Sequence, residues 1–315
     1  IAGPIVRYHD INEQIRIRTH SFDDFTHGLF RFCTGLAKKI LIADQMGQVA
    51  DKIFCIAPDS MTLLYAWLGI CCYTFQIYFD FSGYSDMAIG LARMMGFNLL
   101  ENFNRPYRST SITEFWRRWH ISLSRWMKEY LYIPLGGNRK GAVRGMINLW
   151  LVFILSGLWH GAQWTFIIWG IYHGLFLTLD KLFFIKFLNR LPRFFSTALT
   201  FFIIMMGWVF FRSDSLVHAW NYFGYLSGTA TVATSNILMV DIMSNRSMVI
   251  LLAAALFSFV PLFKVPCIFG PISCFSEKIV FSPRVLRATM ALCLFILSIS
   301  ALLNSSFHPF LYFKF

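Results

Sequence analysis

MINLWLVFILSGLWHGAQWTFIIWGIYHGLFLTL, residues 146–179, is the stretch that decides the fold class. Two apolar runs, 146–159 and 163–179, meet at the polar junction Ser156-Gly157-Leu158-Trp159-His160-Gly161-Ala162. Paired runs of this kind read as helices whose surroundings are lipid. The first run, about 14 residues, reaches roughly 21 Å as a helix, short of a hydrocarbon core of roughly 30 Å. A hairpin that short places its turn, and His160 with it, inside the membrane depth. Non-helical backbone at that depth lines a cavity or is buried in protein.

Working outward, Met61–Phe79 is a further span, about 28 Å long at helical rise, and others fall near 195–211, 248–263 and 285–303. The first of these runs into Asp80-Phe81-Ser82-Gly83-Tyr84-Ser85-Asp86 and then a semi-polar helix to about Phe97. Residues 28–50 carry Arg31, Lys38 and Lys39 among apolar residues at helical spacing, a pattern for a helix lying in the interface. Residues 1–27 read as a loop. The chain is 57% hydrophobic and 14% charged, with mean hydropathy +0.56. Soluble domains carry roughly 25% charged residues, so this composition asks for a solvent other than water. The reading is all-α: a polytopic membrane protein with short re-entrant or interfacial helices around an intramembrane site. One membrane-embedded domain covers 1–315, with no internal repeat. The start, Ile-Ala-Gly-Pro, reads as that of a fragment whose N-terminal part is missing.

The formal net charge of +12 sits between the apolar runs. Residues 93–144 hold ten basic residues against three acidic ones, a net +7, which places this stretch on the cytoplasmic side. The loops 180–193 and 264–287 are basic again, whereas 212–247 is near neutral and faces outward. Such a distribution argues against nucleic-acid binding, which calls for a basic face on a polar domain. The seven cysteines form no CxxC pair, so no metal site is expected and the thiols read as reduced and packed.

Two segments carry chemistry. Glu114-Phe115-Trp116-Arg117-Arg118-Trp119-His120-Ile121-Ser122-Leu123-Ser124-Arg125-Trp126 alternates tryptophans with basic residues around one histidine. At helical spacing Trp116, Trp119 and His120 share a face; an aromatic anchor at the membrane boundary accounts for the same composition. In the second segment, Trp159-His160-Gly161, an ionisable residue at membrane depth is a functional candidate, with glycines that admit close approach. Acyl transfer to a hydroxyl calls for a base near neutral pKa and a second polar group that holds the carbonyl or orients the base. His160 and His120 fill those roles if the fold joins them. Asp80, Asp86 and His173 are weaker candidates, with capping and packing as their plainer readings. His9, His20, His27, His218 and His308 read as loop residues. Gly136-Gly137-Asn138-Arg139-Lys140-Gly141 lacks Walker spacing and reads first as a cytoplasmic turn, second as a contact for donor phosphates.

With these segments in hand, the chain resembles the membrane-bound O-acyltransferase (MBOAT) family, closest to its AlgI-type branch of polysaccharide O-acetyltransferases. The matching stretches are IAGPIVRY at 1–8, YFDFSGYSDMAIGLARMMGF at 78–97, FWRRWHISLSRWMKEYLYIPLGGNRKG at 115–141 and NLWLVFILSGLWHGAQWTFIIWGIYHG at 148–174. The resemblance implies an MBOAT-like bundle with His160 catalytic and His120 as the second residue. His160 would act as general base, while His120 polarises the carbonyl or orients the base. Trp116, Trp119 and Trp159, with Asp80, Asp86 and His173, are the candidate substrate contacts. No cofactor or metal is implied. The resemblance further implies N-terminal transmembrane helices ahead of this chain and an acyl thioester donor, with acetyl-coenzyme A expected, reached from the cytoplasm. The acceptor side implies periplasmic acetyl-transfer partner proteins and a polysaccharide such as alginate, in a bacterial inner membrane. Peptidoglycan or cellulose O-acetylation and D-alanyl export are alternatives within the family. A proton-coupled transporter using the same histidines is the rival class.

Overall fold

The computed structural model describes residues 3–232, 235–260 and 283–303, and every regular element among them is helical. In order these are α1 (Tyr8–Arg16), α2 (Phe22–Ala37), a π-helical stretch Lys38–Ala43, α3 (Asp44–Phe54) and α4 (Leu63–Met94). Two short helices follow, α5 (Ile112–Arg118) and α6 (Ile121–Met127), then α7 (Ala142–His160), α8 (Trp164–Leu179) and α9 (Ile185–Leu188). The remainder are α10 (Arg193–Arg212), α11 (Leu216–Ser227), α12 (Met239–Ile242), α13 (Asn245–Phe259) and α14 (Pro283–Leu303). The all-α expectation holds.

Among the described residues, four helical segments are long and apolar enough to cross a membrane: Ala142–His160, Trp164–Leu188, Arg193–Arg212 and Val285–Leu303. Only 17% of the Val285–Leu303 window is buried within the protein, so its apolar surface is left for lipid. The expected spans at 195–211 and 285–303 are these helices. The one expected at 248–263 begins as α13, 15 residues long, and its last residues lie outside the described ones. The loop 264–287 lies almost wholly outside them, as do Cys267, Cys274, His308 and the aromatic C-terminal residues.

The expected break after Phe79 does not occur. α4 runs unbroken for 32 residues, and Asp80 and Asp86 lie inside it, neither capping a helix nor solvating a loop. Their charges are met by the neighbouring helix: Asp86 pairs with Arg31 at 2.8 Å and Lys38 at 2.5 Å, and Asp80 with Lys39 at 2.7 Å. Residues 28–50 are helical, as expected, and Arg31, Lys38 and Lys39 pair with the α4 carboxylates. Small residues make the approach possible. A methyl group added at Gly28 would stand 2.6 Å from the Gly90 carbonyl oxygen, and one at Gly90 equally close to that of Gly28. Gly35 and Gly83 repeat the arrangement seven residues along. Two helices therefore meet backbone to backbone.

α7 and α8 form the expected hairpin, again through glycine: a methyl at Gly157 would fall on the Phe166 carbonyl, and one at Gly170 on that of Phe153. α7 starts at Ala142, not 146, which gives it 19 residues. At about 28 Å it is no longer too short for the hydrocarbon core. The shortness of this hairpin therefore no longer explains the depth of His160; its burial has to be read from its contacts. The Gly136–Gly141 stretch is a turn with three glycines at positive φ (105°, 53° and 90° at Gly136, Gly137 and Gly141). Asn148 pins it by donating to the carbonyls of Leu135 and Gly137 at 3.2 and 3.1 Å.

Candidate active site

His160 is the last residue of α7 and is buried. Gly161 behind it leaves room for the Phe166 ring, which would stand 2.6 Å from a side chain there. The His160 imidazole meets Trp169 edge to face, centroids 5.4 Å apart, and Phe211 of α10 at 5.2 Å. Trp169 in turn contacts Trp116, Trp208 and His173. His173 is fully buried, and both of its ring nitrogens lack a hydrogen-bond partner, as do the indole nitrogens of Trp116 and Trp169. Each unsatisfied buried polar atom costs on the order of 1–3 kcal/mol, so a group of them marks a place organised for something other than stability.

His120 arrives from a different direction. α5 ends at Arg118, Trp119 is extended (φ −103°, ψ 129°), and His120 takes the left-handed conformation (φ 44°, ψ 54°) before α6 begins. The expectation that Trp116, Trp119 and His120 share one helical face is therefore corrected: the helix breaks between them. Trp119 and Trp116 still turn into the core, where Trp119 meets Trp208 at 5.0 Å and Trp116 meets His173 at 5.1 Å. A left-handed, non-glycine residue costs on the order of 1–2 kcal/mol and needs surroundings that hold it.

Those surroundings are Asn102 and α4. The Asn102 carbonyl accepts the Ile121 N–H at 2.9 Å. Its side-chain oxygen accepts the Ser122 N–H at 3.2 Å and the Ser122 hydroxyl at 2.8 Å, and lies 3.1 Å from His120 Nδ1. Asn102 Nδ2 donates to Ser85 of α4 at 2.9 Å. Phe81, one turn before Ser85, packs edge to face on the His120 ring at 4.7 Å. His120 is buried, its Nε2 has no hydrogen-bond partner, and His160 is near enough to act on it electrostatically.

The fold thus places His120 within electrostatic reach of His160, whose ring joins an aromatic cluster that includes Trp116, Trp119 and His173. It does not bring the others there. Trp159 is half exposed and lies against Trp126, and Asp80 and Asp86 serve the contact with α2 and the π-helical stretch. His27, expected in a loop, is buried in α2 with Arg287 donating to its Nε2 at 2.7 Å. His218 lies in α11 against Phe54. Asn102, Ser85, Ser122, Trp169 and Phe211 were not anticipated; single residues of these types in a loop or an apolar run carry no local signal. No group of three or more potential metal ligands occurs among the described residues.

The model of the membrane-bound O-acyltransferase family matches residues 1–212, a stretch that holds both histidines and the whole aromatic cluster. The chain belongs to the membrane-bound O-acyltransferase family. Among its relatives, a Pseudomonas fluorescens protein named probable alginate O-acetylase AlgI is 52% identical over 71% of this chain and 45% of its own length. An Azotobacter vinelandii protein of the same name is 41% identical over all of this chain and 67% of its own length. A Helicobacter pylori peptidoglycan O-acetyltransferase is 45% identical over 70% of this chain and 42% of its own length. The matched region therefore spans 42–67% of the length of these three relatives.

Proposed function

We propose that this chain carries the catalytic centre of a membrane O-acyltransferase that moves acetyl from a thioester donor to a hydroxyl, for O-acetylation of an exported, alginate-like polysaccharide. The observation that supports it best is that His120 and His160, two buried imidazoles from separate segments, lie within electrostatic reach of each other beside a cluster of unsatisfied polar atoms. An alcohol is a weak nucleophile near neutral pH. His160 takes the hydroxyl proton as the oxygen attacks the thioester carbonyl, a C–O bond forms, and the C–S bond breaks. The proton passes from the imidazole to the leaving sulfur, so the products are an ester and a thiol. The aromatic wall of Trp169, Trp208 and Phe211 excludes water, which would otherwise compete as the acceptor.

Acetyl-coenzyme A, approaching from the cytoplasmic side of an inner membrane, is the proposed donor. The names of the relatives support alginate first and peptidoglycan second as the polymer served. Periplasmic partner proteins are the proposed route from this site to the polymer. The test uses full-length protein in lipid nanodiscs with acetyl-labelled thioester and a hydroxyl acceptor. Label leaving the thioester for the acceptor supports the reading. Intact thioester with proton movement across vesicles would favour a transporter instead.

A further inference from the structure

The Asn102 amide has only one orientation that its neighbours allow. The Ser122 backbone N–H can only donate, and it points at Oδ1 at 3.2 Å; the other end of the amide, Nδ2, donates to Ser85 Oγ at 2.9 Å. The atom 3.1 Å from His120 Nδ1 is therefore an oxygen, which can only accept. His120 must carry its proton on Nδ1, and in the neutral imidazole the lone pair is left on Nε2. Nε2 is the atom that is buried and without a partner.

We infer that Asn102 is a positioning residue for the proposed reaction: it fixes the His120 tautomer and its left-handed backbone so that Nε2 presents a lone pair to the site. This rests on the acyltransferase reading above and decides between the two roles open to His120. A neutral His120 held this way has no proton on Nε2 to offer a carbonyl oxygen, so it accepts a hydrogen bond there and orients the base. Asn102 also supplies what His120 cannot. His120 stands at the N-cap of α6 but makes no capping bond, and the carbonyl and side chain of Asn102 take the N–H groups of Ile121 and Ser122 in its place. One residue thus caps the helix and frees the imidazole. Ser85 ties that residue to α4, and Phe81 on the same helix fixes the ring plane.

The experiment compares Asn102→Ala and Asn102→Asp with wild type in full-length protein at matched membrane levels, measuring kcat, KM and the pH profile of kcat with acetyl thioester. Aspartate keeps an acceptor toward His120 Nδ1 and Ser122 and adds a negative charge that favours the imidazolium. Expected are a fall in kcat of at least about tenfold for Asn102→Ala with KM nearly unchanged, and retained kcat for Asn102→Asp with its acid limb moved to higher pH. Asn102→Ala at wild-type kcat would overturn the inference. So would Asn102→Asp losing kcat as Asn102→Ala does with an unmoved acid limb, which is the signature of a cap alone. Wild-type protein that cleaves no thioester would instead remove the acyltransferase reading on which the inference stands.

Discussion

His160 and Trp169 meet edge to face, with ring centroids 5.4 Å apart and planes at 90°. Trp169 is also in contact with His173 at 5.1 Å, so one indole stands between two buried imidazoles. It is among the largest fully buried side chains and touches Trp116, Trp208 and Phe211 besides.

Replacing it separates packing from polarity. Trp169→Ala removes the wall and is expected to cost about 3–5 kcal/mol, with transfer lost. Trp169→Phe keeps most of the wall and should hold the fold better. Thermal unfolding in detergent checks this; an alanine variant that melts with wild type would contradict the packing described here.

The glycine contacts predict opposite responses at two positions. Gly90→Val drives a side chain into the Gly28 carbonyl and should destabilise by about 1–3 kcal/mol or more. At Gly174 an added methyl finds ordinary contacts at 3.6–3.8 Å, and Gly174→Ala is neutral or stabilising, because a helix interior prefers alanine by about 1 kcal/mol. The two melting temperatures, read side by side, decide the matter.

Asp86 is predicted to matter for folding and not for chemistry. Asp86→Ala leaves Lys38 without its counter-charge and Arg31 with Glu101 alone, and should cost up to about 3–5 kcal/mol. Protein that survives in the membrane should transfer acyl groups at an undiminished rate per molecule. A well-folded Asp86→Ala variant with no transfer would return Asp86 to the substrate contacts.

A pH dependence follows from Glu114, which accepts the Thr110 N–H at 2.7 Å, the Thr110 hydroxyl at 2.9 Å and Arg118 at 2.7 Å. Burial pushes its carboxyl up, but the Thr110 groups and Arg118 outweigh burial and hold it below the usual carboxylate range. A depressed native pKa gives stability that is present above the ordinary value and lost as pH falls through the native one. Glu114→Gln should therefore lower the melting temperature clearly at pH 7 and by progressively less as the pH falls below about 4. A loss that stays the same at every pH would rule out the charge as its source.

How much of this was legible in the sequence differs from residue to residue. The burial of His160 was, because a histidine at the junction of two apolar runs is enclosed when those runs pack on each other. The continuity of α4 was not: hydropathy counts Asp80 and Asp86 as exposed, while their cations sit on another segment 41 to 55 residues away and neutralise them. The break at His120 was equally hidden, since neither Gly nor Pro marks it and Asn102, 18 residues earlier, holds it. Helical spacing therefore put Trp116, Trp119 and His120 on one helical face that the break at Trp119 and His120 removes. The length of α7 was underestimated because Arg144 and Gly145 weaken the apolar signal without ending the helix.

The central claim, that the His160 imidazole takes the hydroxyl proton, is tested most directly by polymer-bound acetyl in a deletion strain complemented with full-length protein, His160→Ala against wild type at matched membrane levels. The account predicts that acetylation disappears while the protein remains in the membrane. Acetylation that persists in the His160→Ala strain would contradict it and leave His160 a packed residue of the aromatic cluster.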